Sequence, residues 1–462
     1  PHENDEKTER MKIAFVHPDL GIGGAERLVI DAAVGLQSRG HQVVIYTSHC
    51  DKTHSFEEAR DGTLDVRVRG NTLPANLLGR FAILFAILRQ LHLTIHLLLE
   101  STTYDAIFVD QLSTSIPLLR LKAPVFFYCH FPDKYLAQPG GLLKKLYRIP
   151  FDAVEEYTTA ASDAIVVNSN FTRSVFAKAF PRISRTPGVL YPCVDITHLP
   201  TTPPSQTPTL QFPEGTKVIL SINRFERKKN IELALKAFAT LRGHPNFQNL
   251  RLVLAGGYDS RVTENVTYHH DLQSLASTLS LTHQTIKPTS SALALDLDPN
   301  TNVLFLLSIP GPLKEELLRT STLLAYTPTN EHFGIVPLEA GLARLPVLAT
   351  NTGGPLETIV DGDTGTATAT GWLRPADEGA WGEVMRAVIE MSERERESMG
   401  SAARERVVTR FSLETMAGDL EDGILSMLNE CRNKGGVPVV GVLLAVLLVA
   451  VVVCLPQIAR TT

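Results

Sequence analysis

Cysteine is scarce in this chain of 462 residues. The five, Cys50, Cys129, Cys193, Cys431 and Cys454, are odd in number, and no two have C-x-x-C spacing. That excludes a disulfide framework or a zinc knuckle as the basis of the fold and fits free thiols in a reducing compartment. An excess of positive charge is lacking too. With a formal net charge of -5 there is no basic field of the kind nucleic acid attracts, so no nucleic-acid partner is expected. Residues 1–10 (PHENDEKTER) carry no apolar stretch of the secretory type, so the sequons at Asn170 and Asn265 are not expected to carry glycans. Low complexity is confined to one Pro/Thr/Ser stretch, and 44% apolar with 20% charged residues describes a folded body.

Long apolar runs are few, and the exceptions stand out. Val437 to Leu455 holds 19 residues without a charge, the length needed to cross a hydrocarbon core, and is expected to be a transmembrane helix. Arg432 and Lys434 on its body side lean towards a cytosolic body. Phe81–Leu99 is apolar around much of its circumference, but Arg89, Gln90, His92 and His96 make it a poor spanning helix. It suits either the plane of a membrane interface or the core of a domain. In Leu142–Arg148 three leucines alternate with Lys144, Lys145 and Arg148, a pattern for anionic headgroups, an acceptor diphosphate or plain solvent.

The rest reads as strand and helix in alternation. Apolar runs predict strands at Met11–His17, His41–Thr47, Ala106–Asp110, Pro124–Tyr128 and Ala164–Asn168, with a helix over Ala25–Leu36 between the first two. Strand, helix, strand within about 35 residues is a βαβ unit, the building block of a parallel sheet. A Pro-rich linker composition follows over residues 196–214. The pattern then restarts with strands at Lys217–Asn223, Arg251–Ala255, Asn302–Leu306, Leu323–Tyr326 and Pro346–Ala349. Helices are predicted at Ile231–Leu241, Leu313–Thr320 and Gly334–Ala343. The expectation is an α/β protein of two Rossmann-like, doubly wound domains, 11–195 and 215–410, followed by helical residues 411–434 and the tail. Such sheets bind ligands at the carboxyl ends of their strands.

Three constellations fall at those ends. Gly21-Ile22-Gly23-Gly24-Ala25-Glu26 follows the first strand and opens a helix, where backbone N–H groups and the helix terminus suit phosphate. It is no dehydrogenase fingerprint, because Glu26 stands where a third glycine belongs and Thr47, not an acid, ends the second strand. Asn223 to Asn230 (NRFERKKN) puts four cations, Arg224, Arg227, Lys228 and Lys229, into six residues after a strand, offering forks and point charges to phosphate oxygens. Glu331-His332-Phe333-Gly334-Ile335-Val336-Pro337-Leu338-Glu339 spaces two carboxylates across a loop and into a helix. One can face a sugar and the other accept from ribose hydroxyls, with Gly334 letting the backbone come close. Two Asp-x-Asp strings, Asp296–Asp298 and Asp361–Asp363, fall in loops away from these motifs, and no metal is expected there.

Together the three motifs resemble the retaining GT-B glycosyltransferases with an E-x7-E motif, over nearly the whole body. The resemblance is closer in LYPCVDI, SINRFERKKNI, AGGYDSRVTENVTY, YTPTNEHFGIVPLEA and NTGGPLETI. These are similar to the eukaryotic mannosyltransferases of asparagine-linked glycan assembly. That resemblance implies GDP-mannose as donor and a dolichol-diphosphate-linked oligosaccharide as acceptor. It further implies α-1,3 and α-1,6 linkages, no cofactor or metal, and a body on the cytosolic face of the endoplasmic reticulum membrane. Membrane lipid and other glycosyltransferases of the pathway are the further partners it suggests. It assigns Arg224 and Lys229 to the donor diphosphate, Glu331 to the transferring mannose and Glu339 to the ribose. Gly23 and Gly24 would lie against the donor phosphates, and His130, in YCHFPD, would reach the sugar or the acceptor. Gly353 and Gly354 would form a loop near the donor. The rival readings are another lipid-linked GT-B enzyme, such as one moving N-acetylglucosamine from its UDP donor to phosphatidylinositol, and a catalytically silent membrane scaffold. Removing the residues after Asn433 is expected to release much of the protein from membranes, unless Phe81–Leu99 holds it. Activity on a short-chain acceptor in detergent should persist, measured by fractionation and product analysis of the truncated enzyme.

Overall fold

The computed structural model describes residues 10–76, 82–136, 142–196, 210, 212–288, 297–364 and 368–434. The apolar tail from Val437 to Leu455 lies outside the described residues. The chain divides into two compact units, 1–193 with 413–462, and 194–412.

The first unit runs β1 (Lys12–His17), α1 (Gly24–Ser38), β2 (Gln42–Thr47), β3 (Asp65–Val68), α2 (Ala82–Leu99), β4 (Ala106–Asp110) and α3 (Ile116–Leu119). It continues with β5 (Val125–Cys129), α4 (Asp133–Leu136), α5 (Leu142–Ala160), β6 (Ala164–Val167), α6 (Asn170–Ala179) and β7 (Gly188–Val189). All pairings are parallel, in the order β3-β2-β1-β4-β5-β6-β7. The order in which successive strands are added reverses between β1 and β4, the crevice where such sheets take ligands. The near-continuous apolar strands follow from cover on both faces. Within β1, Ile13 and Phe15 pack on one side with α1 residues Val29 and Leu36, while Ala14 and Val16 pack on the other with Leu93 and Leu97 of α2. Helix α2 therefore gives one stripe to the core, and Gln90 fastens it by donating to the Leu112 carbonyl and to Ser115 Oγ, each at 3.0 Å. Its outer face is less covered, with Leu99 79% exposed, and by length and composition it is long and apolar enough to cross a membrane.

The second unit runs β8 (Lys217–Ile222), α7 (Glu232–Ala239), β9 (Leu250–Gly256), α8 (Thr263–Thr278), β10 (His283–Ile286), β11 (Val303–Leu307) and α9 (Gly311–Thr320). Then follow β12 (Leu323–Tyr326), α10 (Ile335–Leu342), β13 (Val347–Thr350), α11 (Pro355–Thr358), β14 (Gly371–Arg374), α12 (Glu378–Glu390) and α13 (Glu393–Arg410). Its sheet is also all parallel, β10-β11-β9-β8-β12-β13-β14, with the switch between β8 and β12. The two expected doubly wound α/β domains are thus present. Four strands were not legible as such: β3, β7, β10 and β14 are short, and their residues are largely half-buried or exposed.

The last described helix, α14 (Leu413–Lys434), is part of the first unit. Met416, Leu420, Ile424 and Met427 join the core on the α1 side. Contact with α1 is close: a Cβ on Gly35 would stand 2.7 Å from that of Ala417. Buried Glu421 accepts from Arg39 Nε and faces His41 Nε2 at 3.0 Å. Burial alone would raise the Glu421 carboxyl, but the Arg39 and His41 hydrogen bonds outweigh it and hold it below the ordinary glutamate range. A carboxylate whose folded value is depressed stabilises the fold above its unfolded value and loses that contribution as pH falls through the folded one. Glu421→Gln is therefore expected to lower the melting temperature at neutral pH, and its deficit should shrink as pH drops below the ordinary glutamate range. Melting curves of both proteins against pH check this.

Candidate active site

In the second unit the basic turn, the Glu331 loop and a glycine pair meet at the carboxyl ends of β8, β12 and β13. Lys229 Nζ donates to Glu331 Oε2 at 2.5 Å, with each side chain about four-fifths covered (19% and 20% exposed). The backbone on both sides is fixed. Thr327, just after β12, donates its hydroxyl to the Lys229 carbonyl at 2.7 Å. Gly354 N–H donates to the Glu331 carbonyl at 2.8 Å. Gly353 holds a left-handed φ of 73°, and a Cβ there would come within 2.5 Å of the Glu331 carbonyl oxygen and 2.7 Å of its nitrogen. Any side chain at 353 would push Glu331 out of place, which is why NTGGP follows β13.

Burial by itself would raise the Glu331 carboxyl. The Lys229 ammonium reverses this, with His332 and Lys228 adding to it, so the group lies below the ordinary range and is ionised at neutral pH. Next to it, burial and then the Glu331 and Glu339 carboxylates push the Tyr326 hydroxyl well above its ordinary value. That hydroxyl stays a neutral hydrogen-bonding group. Tyr326 lies against Gly334, whose φ of 92° starts α10 and whose Cβ would meet the tyrosine oxygen at 3.1 Å.

Glu339, one turn into α10, accepts from Lys314 Nζ of α9 at 2.7 Å through Oε1. Its Oε2 is buried and accepts no hydrogen bond among the described residues. A buried unsatisfied carboxylate oxygen costs free energy unless something donates to it.

The four cations of NRFERKKN do not all gather at this place. Arg224 and Lys228 are exposed and flank Glu226, at 3.7 and 3.0 Å. Arg227 instead pairs with Asp271 of α8 and lies over the Tyr268 ring. The αL conformation of Asn230, φ 50°, ends the turn. Of the Asp-x-Asp strings, Asp361 and Asp363 both bind Arg374, at 3.2 and 2.8 Å. Asp298 caps the Asn300 N–H at 2.9 Å, and Asp296 lies outside the described residues. No group of three or more His, Cys, Asp or Glu is placed to hold a metal among the described residues.

In the first unit the glycine loop and His130 occupy the corresponding edge. Gly23 is the N-cap of α1 and Gly24 its first residue, with no heavy atom within 4 Å of a Cβ built on Gly24. At Gly23 the Glu26 carboxylate lies close by, where a Cβ would meet its Oε2. His130, following β5, is one-fifth exposed and bonds through Nε2 to Asp110 Oδ2 at 2.9 Å. Asp110 ends β4 and is fully buried; its other oxygen holds His17, the last residue of β1, at 2.8 Å. Sequence reasoning missed His17, Asp110, Tyr326, Thr327 and Lys314. For the first three a signal existed, a polar residue closing an apolar strand (IAFVH, AIFVD, LLAY). Lys314 sits in an ordinary amphipathic helix and gives none.

Residues 204–406 match the family described as glycosyl transferases group 1, and residues 22–198 match glycosyltransferase family 4. The chain is 50% identical over 431 residues to an alpha-1,3/1,6-mannosyltransferase, alg2, of Schizosaccharomyces pombe, covering 92% of this chain and 83% of that one. It is 52% identical to the alpha-1,3/1,6-mannosyltransferase alg-2 of Neurospora crassa, with 92% of each chain covered. Among solved structures, a glycosyltransferase from Rickettsia africae superposes with a TM-score of 0.66 at 17% identity, covering 92% of this chain and all of that one. Sucrose-phosphate synthase from Thermosynechococcus elongatus gives 0.67, also at 17% identity, over 91% of this chain. These two bear on the fold alone.

The Lys229–Glu331 contact is measurable apart from activity. In a double-mutant cycle of Lys229→Met and Glu331→Gln, each single change leaves a buried charge unpaired, and the double change leaves none. The coupling energy from denaturant melts should be favourable by about 0.5–3 kcal/mol, and additive effects would show that the two groups do not interact.

Proposed function

This chain belongs to the alpha-1,3/1,6-mannosyltransferases, and on that premise we propose that the Lys229–Glu331 pair is the donor end of a retaining mannosyl transfer. Membership associates the protein with the precursor of asparagine-linked glycans and hence with the endoplasmic reticulum. The finer reading is GDP-mannose as donor and a mannosyl-chitobiosyl-diphosphodolichol as acceptor, with the body on the cytosolic face. Burial of the Asn265 sequon, which leaves a glycan no room in the fold, supports that face: its amide accepts from Asp259 N–H at 3.0 Å and donates to the Phe225 carbonyl at 3.1 Å.

One observation carries the assignment of roles: an ammonium and an ionised carboxylate in contact, held by backbone on both sides, at the switch point of a parallel sheet. In the reaction Lys229, with exposed Arg224, neutralises the diphosphate as the bond to the anomeric carbon breaks and negative charge gathers on the leaving group. Glu331 faces the positive charge that develops on the sugar. Gly334 lets the backbone approach the ligand, and Glu339 accepts from the ribose. Gly23 and Gly24 present N–H groups to the donor phosphates, and His130 meets the sugar or acceptor. The acceptor hydroxyl bonds to the anomeric carbon on the face from which the phosphate departs and passes its proton to that phosphate, so the product keeps the donor's anomeric configuration. Charge stabilisation by these side chains and backbone groups suffices for the chemistry, and no metal or cofactor is invoked. The partners are the donor, the lipid-linked acceptor, membrane lipid, and other glycosyltransferases of the same pathway.

One donor constellation serving two linkages sets a sharp expectation. Glu331→Ala should slow the first and the second mannose addition alike, by roughly 10²–10³-fold, the scale of a lost electrostatic contact. Glu339→Ala should act mainly on KM, as a loss of uniform binding does. Each acceptor intermediate is supplied separately to purified enzyme; one linkage forming at the wild-type rate in Glu331→Ala would require a second catalytic centre.

A further inference from the structure

Helix α2 opens with an apolar stretch, Ala82 to Leu88 (AILFAIL), that stops at Arg89. None of these apolar residues is fully buried, whereas Gln90, Leu91, Leu93, Thr94 and Leu97 further along the helix are. Past Arg89 the uncovered side is broken by His92 and His96, whose Nε2 atoms meet at 3.2 Å. An uncovered apolar surface thus ends at a cation, and that cation stands at the carboxyl edge of the first sheet. Arg89 Nη2 donates to the carbonyl of Ser48, the residue after β2, at 2.8 Å. Ser48 N–H donates in turn to the Pro18 carbonyl at 3.1 Å, and Leu20 N–H to the His49 carbonyl at 2.8 Å. The arginine is therefore tied to the segment that leads into the glycine loop.

A purely structural role explains this arginine poorly. Arg27, Arg67, Arg120 and Arg148 of the same unit are also partly buried, and each holds a carboxylate. Arg89 is half-buried and has no carboxylate partner among the described residues; its hydrogen bond goes to a neutral carbonyl. Its Nε is covered by protein and makes no hydrogen bond, and the covered Ser48 hydroxyl makes none either. A partly dehydrated cation without a counter-ion and a covered N–H without an acceptor both cost free energy. The backbone is nevertheless shaped to hold the residue there. Gly70, shortly after β3, has a left-handed φ of 79°, and a Cβ on it would collide with the Arg89 carbonyl oxygen. Nη1, the outer arm of the guanidinium, makes no hydrogen bond among the described residues, so half of the fork is left without an acceptor.

We propose that Arg89 binds the diphosphate of a prenyl-linked acceptor, with the apolar opening turns of α2 taking the hydrocarbon next to it. The proposal rests on the reading of the protein as a mannosyltransferase with a lipid-linked acceptor and adds which residues hold the lipid-diphosphate end of that acceptor. The juxtaposition selects the ligand. A cation at the end of an uncovered apolar stretch matches an amphiphile whose charge sits directly at the end of its hydrocarbon, as in a prenyl diphosphate. A nucleoside diphosphate has the charge without the hydrocarbon, and a neutral glycolipid has the hydrocarbon without the charge. Diphosphate oxygens also suit a guanidinium better than an ammonium, because the planar fork gives paired, charge-assisted hydrogen bonds. No neighbouring carboxylate has already matched the charge of Arg89, so none repels the incoming anion.

The test is steady-state kinetics of the full-length enzyme in detergent, with thermal melts for each variant. Arg89→Met keeps the length of the side chain and removes its charge. It should raise KM for an acceptor carried on phytanyl diphosphate by about 10–100-fold, the scale of hydrogen bonds to a charged group, and leave KM for GDP-mannose unchanged. Phytanyl diphosphate without a sugar should inhibit the wild-type enzyme in competition with the acceptor, and its Ki should rise in Arg89→Met by the same factor. Isopentenyl diphosphate, with the same charge on a short chain, should inhibit more weakly. Arg89→Lys keeps the charge but not the fork and should fall between wild type and Arg89→Met; if Arg89→Met does not fold, the KM and Ki of Arg89→Lys decide. A rise in KM for GDP-mannose would assign Arg89 to the donor diphosphate. Lost sedimentation with phosphatidylserine vesicles at an unchanged acceptor KM would assign it to lipid headgroups. Either result overturns the proposal, as do an unchanged acceptor KM in the folded variants, a Ki that stays put while KM rises, or equal inhibition by the two diphosphates. A wild-type enzyme that transfers no mannose to the phytanyl-linked acceptor would instead fail the functional reading.

Discussion

An ammonium and a carboxylate in contact, mostly withdrawn from water, set the conditions under which the second unit's loops are built. Each ion alone would be expensive to bury, and together they are tolerable only in good geometry. That geometry is provided by backbone. Thr327 ties the carbonyl of Lys229, Gly354 ties the carbonyl of Glu331, and Gly353 adopts a conformation that leaves the Glu331 backbone room. The loops after β8, β12 and β13 are therefore one structure, although more than a hundred residues separate the first from the last. Their common location is not a coincidence of this chain. In a parallel sheet every strand points the same way, so the loop of each strand opens at one edge, and the switch between β8 and β12 leaves space there.

The first unit solves the same problem with different groups. At its switch point the charge balance is between His17 and Asp110, both completely buried, and the exposed end of the network is His130. In the second unit the charged atoms themselves meet solvent at the edge. In the first they lie beneath it, behind His130. A buried pair there costs desolvation, and its two charges balance each other.

What the sequence disclosed follows from where water is excluded. β1, β4, β5, β8, β9, β11, β12 and β13 are covered on both faces and read as apolar runs, so their strands and the motifs behind them were visible. β3 (DVRV), β10 (HQTI) and β14 (GWLR) are only partly buried and interrupted by polar residues, and β7 has two residues; none has a pattern to detect. Helix α14 was legible as a helix, but not its partner. Its fit depends on Gly35 opposite Ala417 and Glu421 opposite Arg39 and His41, pairings separated by about 380 residues of chain. The motifs located Lys229, Glu331 and Glu339, but not the direction of Arg227, which Asp271 and the Tyr268 ring hold at α8.

Among the described residues the Lys229–Glu331 arrangement occurs once. If a single donor pocket serves both linkages, the groups that stabilise the leaving diphosphate and the charge at the anomeric carbon are common to the two reactions, and they cannot distinguish them. The difference between a secondary hydroxyl at one position of a mannose and a primary hydroxyl at another must then be expressed where the acceptor is held. Recognition there needs hydrogen bonds that tolerate two presentations of the same sugar.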